Sequence, residues 1–161
     1  MSTDISPDVR RFEETQTFPL WGYAVLAAGT LAGSAGIAAA TRGAGGAAAA
    51  QQGLAILGPM ALIANLLSMK TVVAEGALTV TFGWAFPMYR RTIRLSQIRS
   101  AEVVTYNPLL EYGGWGIRGW GGNVALNARG NQGVRLGLEG GRRVLVGSQR
   151  PEALAQALLS R

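Results

Sequence analysis

The chain has 161 residues, of which 15 are lysine or arginine and 9 are aspartate or glutamate, giving a net charge of +6 at pH 7. It contains neither cysteine nor histidine. Disulfides, thiolate or imidazole metal sites, and Ser-His-Asp or Cys-His catalytic groups are therefore excluded within this chain. The basic residues are almost all arginines and are concentrated after Lys70, whereas the first 20 residues are net acidic.

The first part of the chain divides into a polar tail and two apolar runs. Residues 1–17 are polar, show no apolar period and predict a flexible tail. Apolar runs follow over residues 20–41 and 47–69, and Arg42 is the only charged residue in this region. At about 1.5 Å of rise per residue, each run is long enough to cross a hydrocarbon core of about 30 Å. We therefore predict a two-span transmembrane hairpin over residues 18–69.

Small residues in the first run predict a close helix contact. Gly29 and Gly33 form a GxxxG motif, and Gly36 adds a further small residue. Such residues let another backbone approach closely, either the second span or a second copy of the chain. Asn65, near the end of the second run, needs a hydrogen-bond partner in hydrocarbon, and we predict that it faces the first span.

The charges around the apolar runs predict an inner-membrane protein with both termini in the cytoplasm. Positive residues near spans stay on the cytoplasmic side, and here they flank the hairpin at Arg10, Arg11, Lys70, Arg90 and Arg91. The first run exceeds a signal-peptide core of about 7 to 15 residues and follows an acidic segment, which favours a retained anchor. We expect the tail and the C-terminal domain to be cytoplasmic.

From residue 70 onward the apolar period changes from helical to two, which predicts strands. Residues 78–82, for example, read LTVTF, and glycine, proline and asparagine turns separate the alternating segments. These spacings predict about seven antiparallel strands. Pro151 suits a first helical position and predicts a closing helix over residues 151–159. Residues 70–161 are thus expected to form one mainly-β domain.

Four segments of this domain resemble bacterial membrane proteins that carry a pleckstrin-homology-like (PH-like) domain after two spans. They are RRTIRLSQI at 90–98, YNP at 106–108, EYGGWGIR at 111–118 and GSQRPE at 147–152. The resemblance implies a partly open, seven-stranded barrel or sandwich that is capped by a C-terminal helix. The molecular role of that family is largely undefined, so the resemblance implies a fold more than a function.

Two patterns bear on small ligands, and both argue against them. GWGIRG at 114–119 matches the dinucleotide fingerprint by letter, but its strand-like flanks lack the required passage from a strand into a helix. The PH-like resemblance implies that a phosphoinositide site would need basic residues on the first hairpin, whereas that turn reads AEGA at 74–77. We therefore predict no cofactor and no specific phosphoinositide site.

An aromatic loop next to arginines predicts a membrane-interface patch. Aromatic side chains favour the headgroup level, and each basic residue near an anionic leaflet contributes about 1 kcal/mol. The alternative is that the arginines form a solvated face of a sheet. The candidate interface residues are Trp84, Phe86, Tyr89, Arg90, Arg91 and Arg94.

A second aromatic stretch, rich in glycine, predicts a recognition face. Glycines relieve crowding around bulky rings on a twisted ribbon. The candidates for this face are Tyr112, Arg118 and Trp120. Trp115 is expected to fill the interior of the domain instead.

These patterns favour a non-enzymatic, membrane-anchored interaction module that binds a protein partner, its own copies or the inner leaflet. One alternative is a small oligomeric pore or transport accessory built on the hairpin. Another is an enzyme of unknown chemistry, for which the domain offers only glutamates scattered over turns and strands. Nucleic-acid binding has only the positive charge in its favour, since stacking aromatics are not interleaved with the arginines, and we expect none.

Overall fold

The computed structural model describes residues 11–40, 42, 46–120 and 122–160, and for residues 46–50, 52 and 120 it describes the backbone alone. The first two helices are long, α1 (Leu20–Ala40) and α2 (Gly46–Leu66), each of 21 residues. A short helix, α3 (Pro108–Tyr112), and a closing helix, α4 (Pro151–Leu159), come later in the chain. The predicted closing helix is confirmed.

Nine strands in the described part of the chain form two sheets that are not closed into a barrel. The first sheet contains β1 (Phe12–Thr17), β2 (Ser68–Ala74), β3 (Ala77–Phe82) and β4 (Tyr89–Arg94), hydrogen-bonded in that order and antiparallel. The second contains β5 (Ile98–Thr105), β6 (Gly116–Trp120), β7 (Asn123–Asn127), β8 (Gln132–Leu138) and β9 (Arg143–Gly147). Its strand order is β5-β8-β9-β7-β6, and β7 and β9 are its one parallel pair.

The prediction of about seven antiparallel strands is wrong in number and in direction. One additional strand, β1, comes from the predicted tail. The parallel pair arises because β8 leaves β7 to pair with β5, and β9 then returns between β8 and β7. Side-chain alternation indicates that a segment is extended, but it does not say which strand becomes its neighbour.

Strand β1 corrects the prediction that residues 1–17 form a flexible tail, because residues 12–17 are extended and pair with β2. Phe12, Glu14 and Gln16 alternate towards the core and are buried. Two of these three inward residues are polar, so the segment has no apolar period to indicate a strand. Residues 1–10 lie outside the described part of the chain.

The chain leaves the first sheet before α1 and returns to it after α2 at an adjacent point, because β1 precedes α1 and β2 follows α2. Thr17 is paired with Ser68, so the whole helical segment is inserted between neighbouring strands. Strand pairing begins at Ser68, which corrects the prediction that the second apolar run stays helical through residue 69. Residues 41 and 43–45, between the helices, lie outside the described residues.

Helix α1 is long and apolar enough to cross a membrane, and it alone among the described helices meets this test. None of its residues is buried. The apolar part of α2, Gly53–Leu66, is shorter than α1. An exposed apolar helix of this length is consistent with membrane association. The second span and the multi-pass topology stay predictions.

Helices α1 and α2 pack against each other, and one of the predicted contact glycines lies between them. A Cβ added to Gly33 would come within 2.9 Å of Ile56 Cδ1, so a larger residue would have to displace the end of that side chain. Around Gly29 and Gly36 the described atoms leave open space within 4 Å. Gly33 thus belongs to the contact between the two helices, whereas a contact of Gly29 or Gly36 with a second copy stays a prediction.

The core lies between the two sheets and is completed by α4. Strands of both sheets turn alternate apolar side chains inward, and the fully buried ones include Met69, Phe82, Leu126 and Leu136. Leu154 and Leu158 of α4 join the same cluster, since a spacing of four places them on one face of a helix. Both sheets and the closing helix therefore share one core.

Buried polar contacts tie β1 to the segment before α4, and we call them the β1 latch. Glu14 Oε2 accepts a hydrogen bond from Ser148 Oγ at 2.5 Å, and Glu14 Oε1 accepts one from Gln149 N at 2.8 Å. Gln16 Nε2 donates to Gly147 O at 2.9 Å. Burial of a carboxylate is costly unless its oxygens are paired. The latch is therefore what allows a polar strand to occupy the core side of the sheet.

Replacing Glu14 by alanine should lower the free energy of unfolding by about 1–3 kcal/mol, because Ser148 Oγ and Gln149 N lose their acceptor. Thr15→Ala, on the exposed face of the same strand, is the matched control and should change this free energy by less than about 0.5 kcal/mol. Urea unfolding of the detergent-solubilised chain, followed by circular dichroism, measures both. Equal midpoints for the two variants would show that the latch does not stabilise the fold.

Candidate functional site

Asn65, in the last turn of α2, holds the loop that joins β3 to β4, residues 83–88, which we call the aromatic loop. Its Oδ1 accepts hydrogen bonds from Ala85 N at 2.8 Å and Phe86 N at 3.5 Å, and its Nδ2 donates to Phe86 O at 2.8 Å. The side chain is buried, so these bonds satisfy an amide with little access to water. The prediction that Asn65 faces the first span is wrong, because the loop backbone supplies both a donor and an acceptor.

Backbone contacts attach the start of the aromatic loop to the same region. Gly83 N donates to Ser68 O at 3.1 Å, and Trp84 N donates to Asn65 O at 3.3 Å. Gly83 has a φ of +116°, and a Cβ there would lie 2.1 Å from Phe86 O, so the turn requires glycine. The aromatic loop is thereby attached directly to the end of α2.

Two of the predicted interface residues project from the aromatic loop into solvent. Trp84 is 75% exposed and Phe86 is 49% exposed. Tyr89, the first residue of β4, is instead half-buried and packs edge-on against Phe82, with ring centroids 6.1 Å apart. Trp84 and Phe86 are therefore exposed at the surface, whereas Tyr89 packs against the core.

The three predicted interface arginines do not form one patch. Arg90 and Arg94 lie on the exposed face of β4, whereas Arg91 is half-buried on the face that carries Ile93. At about 3.4 Å per residue, Arg94 lies about 14 Å further along the strand than Arg90. Arg90 is therefore the arginine of this set that lies beside the aromatic loop, where it lines an open groove with Trp84.

The second aromatic stretch begins at the last residue of α3, Tyr112. It contacts the start of α1 through Trp115. The ring of Trp115 contacts Trp21 edge-on at a centroid distance of 5.8 Å, and its Nε1 donates to Gly130 O at 2.9 Å. Trp115 is half-buried, so the expectation that it fills the interior is wrong, and its ring lies between the β domain and α1. Arg118 is exposed, and its Nε donates to Trp115 O at 3.0 Å.

Tyr112 positions α3 against the second sheet. Its ring contacts Tyr106 edge-on at 5.9 Å, and both rings belong to a small cluster with Ala125 and Leu145. Asn127 Nδ2 donates to the Tyr106 hydroxyl at 3.0 Å. Burial raises the pKa of Tyr106 above its ordinary value of 10.0, so this hydroxyl stays neutral at physiological pH.

Trp120 ends β6, where its backbone is paired with Asn123. Its side chain lies outside the described part of the structure. Four residues of strand, or about 14 Å, separate its backbone from Gly116 at the other end of β6. The backbone of Trp120 is therefore at the opposite end of this strand from Tyr112 and Trp115, and its role in recognition stays a prediction.

Two of the glutamates considered for an enzyme have structural partners. Glu111 Oε1 accepts a hydrogen bond from Asn107 N at 2.7 Å, and Glu139 pairs with Arg99. Within the described residues, no three His, Cys, Asp or Glu side chains lie close enough together to hold a metal ion.

Comparison of the sequence with models of protein families and with curated proteins finds no match. The likeness to PH-like domains therefore stays a resemblance. The features of this site that bear on function are its own contacts, above all those between Asn65 and the aromatic loop.

Sequence reasoning did not find the link between Asn65 and the aromatic loop. The bonded residues are 20 and 21 positions apart, with two strands between them. The sequence does contain one indication of this link. An asparagine at the end of an apolar run needs both donor and acceptor partners, and the backbone of a nearby irregular loop supplies both.

Replacing Asn65 by alanine should release the aromatic loop, because Ala85 N loses its acceptor and Phe86 O loses its donor. Loss of about 1–3 kcal/mol of local stability should accelerate amide exchange in the loop by about 5- to 150-fold. Asn65→Asp keeps the acceptor but sets a second carboxylate oxygen against Phe86 O in a buried position, so it should accelerate exchange as well. Hydrogen exchange of the nanodisc-embedded chain, read by mass spectrometry with β8 as an internal reference, measures both. Wild-type exchange in both variants would show that Asn65 does not hold the loop.

Proposed function

We propose that the protein is a non-enzymatic, membrane-anchored β module whose aromatic loop rests on the leaflet from which its helices extend. The observation that carries this proposal is the contact between Asn65 and the aromatic loop, which leaves Trp84 exposed beside the end of α2. If α2 crosses the membrane, a ring fixed at its end lies at the depth of the headgroups, where tryptophan is favoured.

The proposal includes two antiparallel spans. The chain returns to the sheet beside its point of departure, and α2 has the same length as α1. Both helices expose large apolar side chains, among them Val25, Leu31, Leu54 and Leu57. Apolar surface costs about 25 cal/mol per Å² in water, and this cost disappears in lipid. These features support a hairpin that places β1 and the β domain on one side, which the flanking charges predict to be the cytoplasm.

We further propose that the β domain is a divergent PH-like fold. An antiparallel four-stranded sheet, a second sheet and a C-terminal helix that completes their common core support this assignment. Two features depart from the expected seven antiparallel strands. The second sheet has five strands beside the four of the first, and β7 pairs with β9 in parallel. The assignment accordingly covers the architecture of the domain and carries no ligand with it.

Weak attraction is enough for this docking because the domain is tethered. Arg90 lines the groove beside Trp84, and a basic residue near an anionic leaflet contributes about 1 kcal/mol. Lys70 lines the same groove, but its Nζ pairs with Glu13 Oε1 at 2.5 Å, so among the described residues of the groove Arg90 supplies the unpaired charge. The tether raises the effective concentration of the loop at the surface, so a small free energy can select one orientation. A fixed orientation suits a module that presents one surface to a protein partner or to a second copy.

Replacing Trp84 and Phe86 together by alanine should leave the fold intact and increase the motion of the domain relative to the bilayer. Both rings are exposed, so their loss removes lipid contact without opening the core. A spin label on Ser96→Cys, in the domain, reports that motion, and the double variant should give a narrower spectrum than the parent chain. Val103→Ala, at an exposed apolar residue of β5, is the matched control and should leave the spectrum unchanged.

Two results would contradict the docking proposal. An unchanged spectrum in the double variant would show that the loop does not restrain the domain. Unfolding of the double variant would show that the two rings belong to the core.

Both termini should be on the cytoplasmic side, because the spans are antiparallel and the flanking charges are positive. Reporter fusions that are active on only one side of the membrane, placed at each terminus in turn, measure this. Activity of the C-terminal fusion outside the cytoplasm alone would show that the proposed topology is wrong.

A further inference from the structure

Helix α3 is a single, tightly capped turn. Asn107 Oδ1 accepts hydrogen bonds from Leu109 N and Leu110 N, both at 3.1 Å, and Glu111 Oε1 accepts one from Asn107 N at 2.7 Å. Gly113 closes the other end in the left-handed region, with a φ of +72°. Caps at both ends satisfy the backbone groups of the turn and hold it in one conformation.

This rigid turn presents two adjacent leucines to solvent. Leu110 is 86% exposed and Leu109 is 62% exposed. Each Å² of such apolar surface costs about 25 cal/mol in water, and the caps prevent the turn from rearranging to hide it. An ordered apolar patch of this kind indicates a surface that covers it.

The position of α3 identifies that surface. Trp115, which follows the turn, contacts Trp21 in the first turn of α1. Phe18, just before α1, donates its N–H to Leu67 O at 3.0 Å, and a Cβ on Gly116 would lie 3.8 Å from the ring of Phe18. The segment after α3 is therefore attached where α1 begins, as the aromatic loop is attached where α2 ends.

Positive charge accompanies the leucines at this end of the second sheet. The hydrogen bond from Arg118 Nε to the carbonyl of Trp115 holds an exposed guanidinium beside the backbone that follows α3. Leucine, tryptophan and arginine together match the chemistry of an anionic membrane interface, with apolar side chains at the acyl boundary and the cation at the headgroups.

We propose that α3, through Leu109 and Leu110, is a second lipid contact of the β domain and enters the interface of the same leaflet as the aromatic loop. The inference rests on the proposed function, since it requires α1 to lie in the membrane. With one contact from a connection of each sheet, the orientation of the domain is held more firmly than by the aromatic loop alone.

Single cysteines test the depth of each contact in the full chain, which has no cysteine of its own. Leu110→Cys reports on α3 and Trp84→Cys on the aromatic loop. Ser96→Cys is the control, since the neighbouring Leu95 N bonds Gly76 O in the turn at the far end of β2. Each site carries a nitroxide, with one copy of the chain in a nanodisc of phosphatidylcholine and phosphatidylglycerol. Collision rates with oxygen and with a water-soluble nickel chelate then give the depth.

The inference expects chelate collisions at Leu110 and Trp84 to fall several-fold below those at Ser96, with oxygen collisions maintained. Immersion at Trp84 with a water-exposed label at Leu110 would overturn the inference and leave the proposed function standing. Water exposure at both sites would overturn both. Shielding of the Leu110 site that requires two copies per nanodisc would identify a second copy as its occupant, and the lipid contact would be wrong.

Discussion

The pairing of β1 with β2 is the constraint on which the rest of the structure depends. The ladder runs from Phe12 opposite Val73 to Thr17 opposite Ser68, so both ends of a long helical insertion are fixed to one sheet. The β1 latch supports this ladder from the other side by giving the buried carboxylate of Glu14 two donors. Without β1, the covalent connection between the helices and the first sheet would run through β2 alone.

Because both helix ends are fixed, features at those ends acquire defined positions. Asn65 links α2 to the aromatic loop through side-chain hydrogen bonds, whereas Trp21 links α1 to Trp115 through an aromatic contact. The first link involves the loop between β3 and β4 of the four-stranded sheet, and the second involves the residue just before β6 of the five-stranded sheet. The apolar residues exposed near each link, with Trp84 and Leu110 the most exposed, make that end of the domain the one suited to a bilayer.

The parts of the fold that were predictable are those in which burial leaves a local pattern. LTVTF at 78–82 alternates because one face of β3 is buried, and Pro151 opens α4 because a first helical position needs no N–H donor. Strand β1 left no such pattern, since Glu14 and Gln16 are buried by virtue of partners more than 130 residues away. The same holds for Asn65, whose partners are chosen by tertiary structure, and for Tyr89 and Arg91, which strand pleating turns towards the core side.

The proposed docking places Trp84 in the lipid interface. The chain has 4 tryptophans, so a variant with phenylalanine at Trp21, Trp115 and Trp120 retains Trp84 as its single indole emitter. Fluorescence of this variant in bilayers that contain brominated lipids measures the contact directly. In the lipid interface, Trp84 should give blue-shifted emission that brominated acyl chains quench and that aqueous acrylamide quenches weakly. Emission typical of water, quenched by acrylamide and unaffected by the brominated lipids, would show that Trp84 lies in water instead.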